Sequence, residues 1–132
     1  MGPARMADRR VARIPCGIDA PADARRWAAW LTDAVDATTG EGILIAVSEL
    51  VTNAVRHAGL AAGAPIEVRG EVRLDRVTLT VRDRGVGLPA RPPPALPSLH
   101  SAGSRGLYLV DRVATRVLMD PPAGSVTCEF AR

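Results

Sequence analysis

Five of the nine residues 89–97 are proline, and no helix or strand can run through them. Proline fixes φ and lacks the N–H that a helix or a sheet ladder needs, so this stretch must be an irregular or polyproline-like loop. A loop of that length inside a small domain is usually a lid or a binding loop. It also splits the chain into two parts. In the first, residues 1–10 read as a disordered tail and residues 11–16 alternate weakly, predicting an edge strand. Asp19 and Pro21 open an amphipathic helix with Trp27, Trp30, Leu31 and Val35 at helical spacing. Thr39 is placed to cap a second helix, which runs through Ile43, Val47, Leu50 and Ala54 to a stop at Gly59. Residues 66–74 and 76–81 alternate as two strands joined by a hairpin turn at Leu74-Asp75-Arg76. Beyond the proline loop, Leu107, Val110 and Val113 mark a helix face, and residues 117–119 and 126–130 form a hairpin around Pro121-Pro122-Ala123-Gly124. This order predicts one α/β domain over residues 11–132. Its architecture is a two-layer sandwich, with a mixed, mostly antiparallel sheet and three helices on one face.

Composition narrows the function. Only four of 132 residues are Phe, Trp or Tyr while 47% are apolar, so the core must be aliphatic. All 17 basic residues are arginine, which removes chemistries that need a lysine, such as a P-loop or a Schiff base. The arginines are spread along the chain with few aromatics to stack on bases, which argues against direct nucleic-acid binding. No apolar run approaches the roughly 18 residues a membrane span needs. The first ten residues are too polar for a secretory signal, and two cysteines are too few for a disulfide scaffold. The expected location is a reducing cytoplasm.

Three segments carry the chemistry. In the second helix Glu49, Asn53 and His57 recur every four residues, along the flank of the apolar stripe, with Gly42 and Ala46 as small neighbours. Taken alone this could be a polar helix edge half covered by a loop. Asp83, at a strand end, is followed by Gly85 and Gly87; an aspartate there can accept from an amino group while the glycines let a planar ligand approach. Gly85, Gly87 and Ala90 also satisfy a dinucleotide fingerprint, but that motif must open a helix and here it runs into prolines. Finally, Gly103-Ser104-Arg105-Gly106-Leu107 leads into a helix whose N-terminal N–H groups suit an anion, with Arg105 as an added donor. An ordinary capped helix start is the plain alternative.

Together, in this order, they resemble the ATPase superfamily shared by gyrase, sensor histidine kinases and MutL. Residues 49–58 resemble its N box, Asp83-x-Gly85-x-Gly87 its next box, and residues 104–110 its last. The resemblance covers about residues 10–132 and is greatest to the compact anti-sigma-factor serine/threonine kinases and their stand-alone bacterial relatives. It implies ATP and Mg²⁺ as cofactors, with Asn53 holding the metal and Glu49 acting as general base. It further implies that Asp83, Gly85 and Gly87 form the adenine pocket, that residues 89–103 form the lid, and that Ser104, Arg105, Gly106 and Leu107 begin the phosphate-binding helix. Thr127 or Ser125 would support Asp83, and His57 would be structural. The implied partners are a sigma-factor-like regulator and an antagonist protein substrate, with a homodimer as the implied assembly and neither membrane nor nucleic acid bound directly.

Two departures stand out. Ser104 occupies the place of the last box's first glycine, and the lid is unusually proline-rich, removing N–H donors that could face phosphate. Phosphoryl transfer to an antagonist is therefore the first expectation. A weakly catalytic, ATP-dependent interaction module is the second, and a detached histidine-kinase-like catalytic domain the third.

Overall fold

The structure is a computed structural model, which describes residues 8–57, 59–83, 91–95 and 104–132. Its elements are β1 (Asp8–Pro15), α1 (Ala20–Thr32), α2 (Ala37–His57), β2 (Pro65–Val72), β3 (Arg76–Arg82), α3 (Ser104–Val113), β4 (Arg116–Asp120) and β5 (Ser125–Ala131). The strands form one sheet in the order β1-β2-β3-β5-β4, and every neighbouring pair is antiparallel, so the sheet is not mixed. β1 also begins earlier than expected. Asp8, Arg9 and Arg10 pair with Val72, Glu71 and Gly70, which makes them part of the sheet and not of a tail.

Alternation along the strands sorts residues between two faces. Ile66 and Val68 on β2, Val77, Leu79 and Val81 on β3, and Val126, Cys128 and Phe130 on β5 are buried together under the helices. Intervening residues face outward. The core is aliphatic, as the composition requires, with Phe130 its largest fully buried side chain. Cys16 and Cys128 are both free and buried; burial pushes the Cys128 thiol up to about 12, so it stays neutral and packs as a small apolar group.

Each helix has a local cause. α1 carries a proline in its first turn, where the missing N–H costs nothing. Its buried stripe is Ala20, Ala24, Ala28 and Leu31; Trp27 and Trp30 are only half-buried, and the helix ends before Val35. Small residues carry this stripe because α1 lies against both α2 and the β1–β2 end of the sheet. The N-terminus of α2 is capped by Asp36 and not by Thr39: the Thr39 N–H donates to Asp36 Oδ1 at 2.7 Å. That bond holds the Asp36 carboxyl below its ordinary range. Gly59, just past the end of α2, has φ +70°, a conformation that glycine adopts without the Cβ penalty.

Trp30 packs on the sheet over Gly70, with the Arg10 guanidinium of β1 4.5 Å from its ring centroid. A Cβ there would stand 2.6 Å from Trp30 Cζ2 and 3.0 Å from both Leu31 methyl carbons. Gly70→Ala should therefore destabilise the domain by about 1–3 kcal/mol, the usual cost of overpacking a core. Urea unfolding measures it, and unchanged stability would contradict this packing.

Candidate functional site

The site forms where the second half of α2, the C-terminal end of β3, the start of α3 and the start of β5 converge. Glu49 and Asn53 lie one turn apart on α2, both half-buried at the edge of its apolar stripe. α3 packs against this helix. Gly106, in the first turn of α3, is buried directly against the two side chains. A Cβ on Gly106 would stand 2.8 Å from Glu49 Oε2, 3.3 Å from Asn53 Oδ1 and 3.4 Å from Asn53 Nδ2. The absence of a side chain at position 106 thus makes room for a carboxylate and an amide beside the start of a helix.

Next to this cradle is a small pocket lined by Leu50, Asn53, Val81, Asp83, Leu107, Gly124 and Val126. Its walls are mostly aliphatic, with an amide from α2 and a carboxylate from the end of β3. The backbone of Asp83 is pinned from the β4–β5 turn: its N–H donates to the Gly124 carbonyl at 3.0 Å, one step beyond the last β3–β5 pair, Arg82 with Ser125. Gly124 has φ +64°, and its N–H donates to the Pro121 carbonyl at 3.1 Å, closing the turn. Arg82 Nε adds a bond to the Ala123 carbonyl at 3.2 Å.

Glu49, Asn53 and Gly106 thus come together, as do Asn53, Asp83 and Leu107. Arg105 is half-buried in the first turn of α3. Gly85, Gly87, most of the expected lid and the side chains of His57 and Ser104 lie outside the described residues. Thr127 is not brought to the pocket. It pairs with Thr80 on the outer face of the sheet, where the two hydroxyl oxygens are 2.8 Å apart, and Val126 is the β5 residue in the pocket. Ser125 shares the parity of Thr127 and its face. Four pocket contributors, Leu50, Val81, Gly124 and Val126, are absent from the expected site. The turn at Gly124 is visible in the sequence, but its proximity to Asp83 follows only from strand pairing.

Among the described residues no group of three or more His, Cys, Asp or Glu side chains could hold a metal ion by itself. The Asn53 amide oxygen beside Gly106 is a hard ligand that suits Mg²⁺ when a ligand such as phosphate completes the shell, and the Glu49 carboxylate stands next to it. Among those same residues no helix is long and apolar enough to cross a membrane.

The fold and the site define an α/β sandwich with a ligand pocket between its helix layer and one end of its sheet. Residues 19–128 match the model of the histidine kinase-like ATPase domain, and the chain belongs to that family. Membership implies ATP binding. The fold is similar to a crystal structure of the RsbU and RsbW domains of Rv1364c from Mycobacterium tuberculosis, with a TM-score of 0.66 and 19% identity over 95% of this chain. This chain spans 31% of that longer one. No curated protein matches the sequence.

Proposed function

We propose that this protein is an ATP-dependent regulatory serine/threonine kinase of the anti-sigma-factor type, phosphorylating a small antagonist protein. The observation that carries the reading is the Glu49 carboxylate held beside Asn53 and Gly106 at the start of α3. A nucleotide seated with its base near Asp83 extends its phosphates toward the N–H groups of that helix start, where Arg105 adds a cation. Asn53 is the residue that would hold Mg²⁺, which when bound offsets phosphate charge. Glu49 then takes the proton of an incoming serine hydroxyl as its oxygen bonds to the γ-phosphorus and ADP departs. Labelling with γ-³²P-ATP, Mg²⁺ and a candidate antagonist tests this. Label on a serine or threonine supports it; nucleotide binding without label on any antagonist overturns it.

Ser104, standing where the family motif has glycine, favours a second reading, in which the protein is a nucleotide-dependent interaction module with little transfer. Both readings require Asp83 to recognise adenine. Removing a hydrogen bond to a charged group costs roughly 1.5–3 kcal/mol, so Asp83→Ala should weaken ATP binding about ten- to a hundredfold. Guanine presents a carbonyl where adenine has its amine, so GTP should bind the wild type far more weakly than ATP. Equal calorimetric affinities for the two nucleotides would remove Asp83 from this role.

A further inference from the structure

The outer face of the sheet, opposite the helices, carries an array of arginines whose geometry is set from beneath. On β2, Glu67 and Glu71 lie low on this face, their side chains 17% and 19% exposed. Over them stand Arg9, Arg13, Arg69 and Arg73, with 64%, 69%, 56% and 44% of their side chains exposed. Solvent therefore meets guanidinium above and carboxylate below. An open antiparallel sheet face is ordinarily polar, with charges of both signs at the same height. Over β1 and β2 this one is layered by sign, while its β5–β4 end carries Glu129 and Asp120.

The anchoring is also one-sided. Arg9 meets Glu71 through Nε at 2.7 Å, Arg69 meets Glu67 through Nε at 2.7 Å, and Arg73 meets Glu71 through Nε as well. Arg82, further along the same face on β3, uses Nε on the Ala123 carbonyl at 3.2 Å. In all four the bond that fixes the side chain leaves the two terminal NH₂ groups for another acceptor. That edge of the fork is suited to a carboxylate, and a guanidinium already held in place loses less freedom on binding one.

The geometry points to this face as a docking surface for an acidic segment of a partner protein, its carboxylates received by the terminal guanidinium groups of Arg9, Arg69, Arg73 and Arg82. The inference goes beyond the kinase reading and does not depend on phosphoryl transfer. A second copy of this chain is disfavoured as occupant, because two guanidinium-covered faces repel. Nucleic acid is disfavoured too. Arg9, Arg69 and Arg73 rest on carboxylates, and the middle of the face is Thr78, Thr80 and Thr127 with Glu129 opposite Thr78, offering a nucleic acid another negative charge and no aromatic ring on which a base could stack. Val11 and Leu118, 53% and 41% exposed on the two edge strands, give a protein partner apolar contact at either border.

The test uses the whole chain and a synthetic twelve-residue peptide rich in Asp and Glu, titrated by anisotropy and by amide NMR. Shifts should concentrate on β1, β2 and β3 around Thr78 and Thr80. Replacing both Arg9 and Arg69 by Ala should weaken binding about tenfold or more, while Arg56→Ala, on an exposed part of α2, should leave it unchanged. Lysine at the two positions keeps the charge and the fold but not the fork, and should recover only part of the loss. The outcomes that overturn the inference are shifts confined to the helix layer, no shifts at millimolar peptide, equal loss with Arg56→Ala, full recovery by lysine, or tighter binding of a DNA duplex than of the peptide. A dimer that shields Thr78 and Thr80 overturns it as well. ATP affinity, measured in parallel, should be the same in the Arg9/Arg69 variant and the wild type. Failure of ATP binding or of transfer in the wild type would remove the kinase reading and leave the peptide result standing.

Discussion

Glu49→Gln should leave ATP binding nearly intact and reduce phosphoryl transfer to the antagonist by at least about a hundredfold. A positioned general base typically contributes about 10²–10⁴-fold in rate and little to ground-state affinity, and glutamine keeps the shape and hydrogen bonding of glutamate without its basicity. The carboxylate is half-buried beside the start of α3, one helical turn from Asn53. In the proposed reading that is where an attacking hydroxyl gives up its proton. Single-turnover transfer and calorimetric ATP affinity, measured on the same preparation, separate the two effects. A fall in affinity as large as the fall in rate would make Glu49 a binding residue. Equal rates in variant and wild type would assign the proton to another group.

Gly106→Ala should have the opposite signature from an ordinary core mutation, with stability kept or raised and activity lost. The new Cβ falls 2.8 Å from Glu49 Oε2, closer than non-bonded atoms tolerate, so something must move. What moves is the far end of a flexible side chain, which yields cheaply. Alanine also favours a helix over glycine by up to about 1 kcal/mol, and Gly106 has no positive φ that requires glycine. The melting temperature should therefore hold or rise. The Glu49 carboxylate, however, is displaced and Asn53 crowded, and a misplacement of about 1 Å at a reacting centre can cost on the order of a hundredfold. Thermal melts and transfer rates measured together decide the matter. A variant that is both less stable and fully active would show that Gly106 serves packing and not the site.

The two predictions rest on different kinds of legibility. That Glu49 and Asn53 share one flank of a helix could be read directly, because a spacing of four residues returns to the same side of any α-helix. That Gly106 meets them could not. It is far along the chain, beyond the proline-rich loop, and its burial against α2 is a product of helix packing. Asp83 at a strand end was visible, whereas the Gly124 carbonyl that receives its N–H was not, since no local pattern relates the two. Strand register does, by extending the Arg82–Ser125 pair one step further.

Some of what differed was within reach of the sequence. Val126, Cys128 and Phe130 are apolar at every second position, so Thr127 must take the other face, and the strand's own alternation excludes it from the pocket. Asp36 is as good a cap as Thr39, and preferring it starts α2 earlier. Arg9 and Arg10 look like a charged tail until their pairing with Glu71 and Gly70 places them in β1.

By itself, then, the sequence determined the kind and order of the elements, the aliphatic core, the ATPase motifs and the all-arginine basic surface. These depend on backbone periodicity and residue chemistry over short windows. Tertiary structure alone decided which polar groups share a site, that Thr80 and Thr127 meet across β3 and β5, and how Glu67 and Glu71 hold the arginines above them. Those relations are set by strand register and helix packing, where a one-residue shift sends a side chain to the opposite face, and only the assembled core selects among the alternatives.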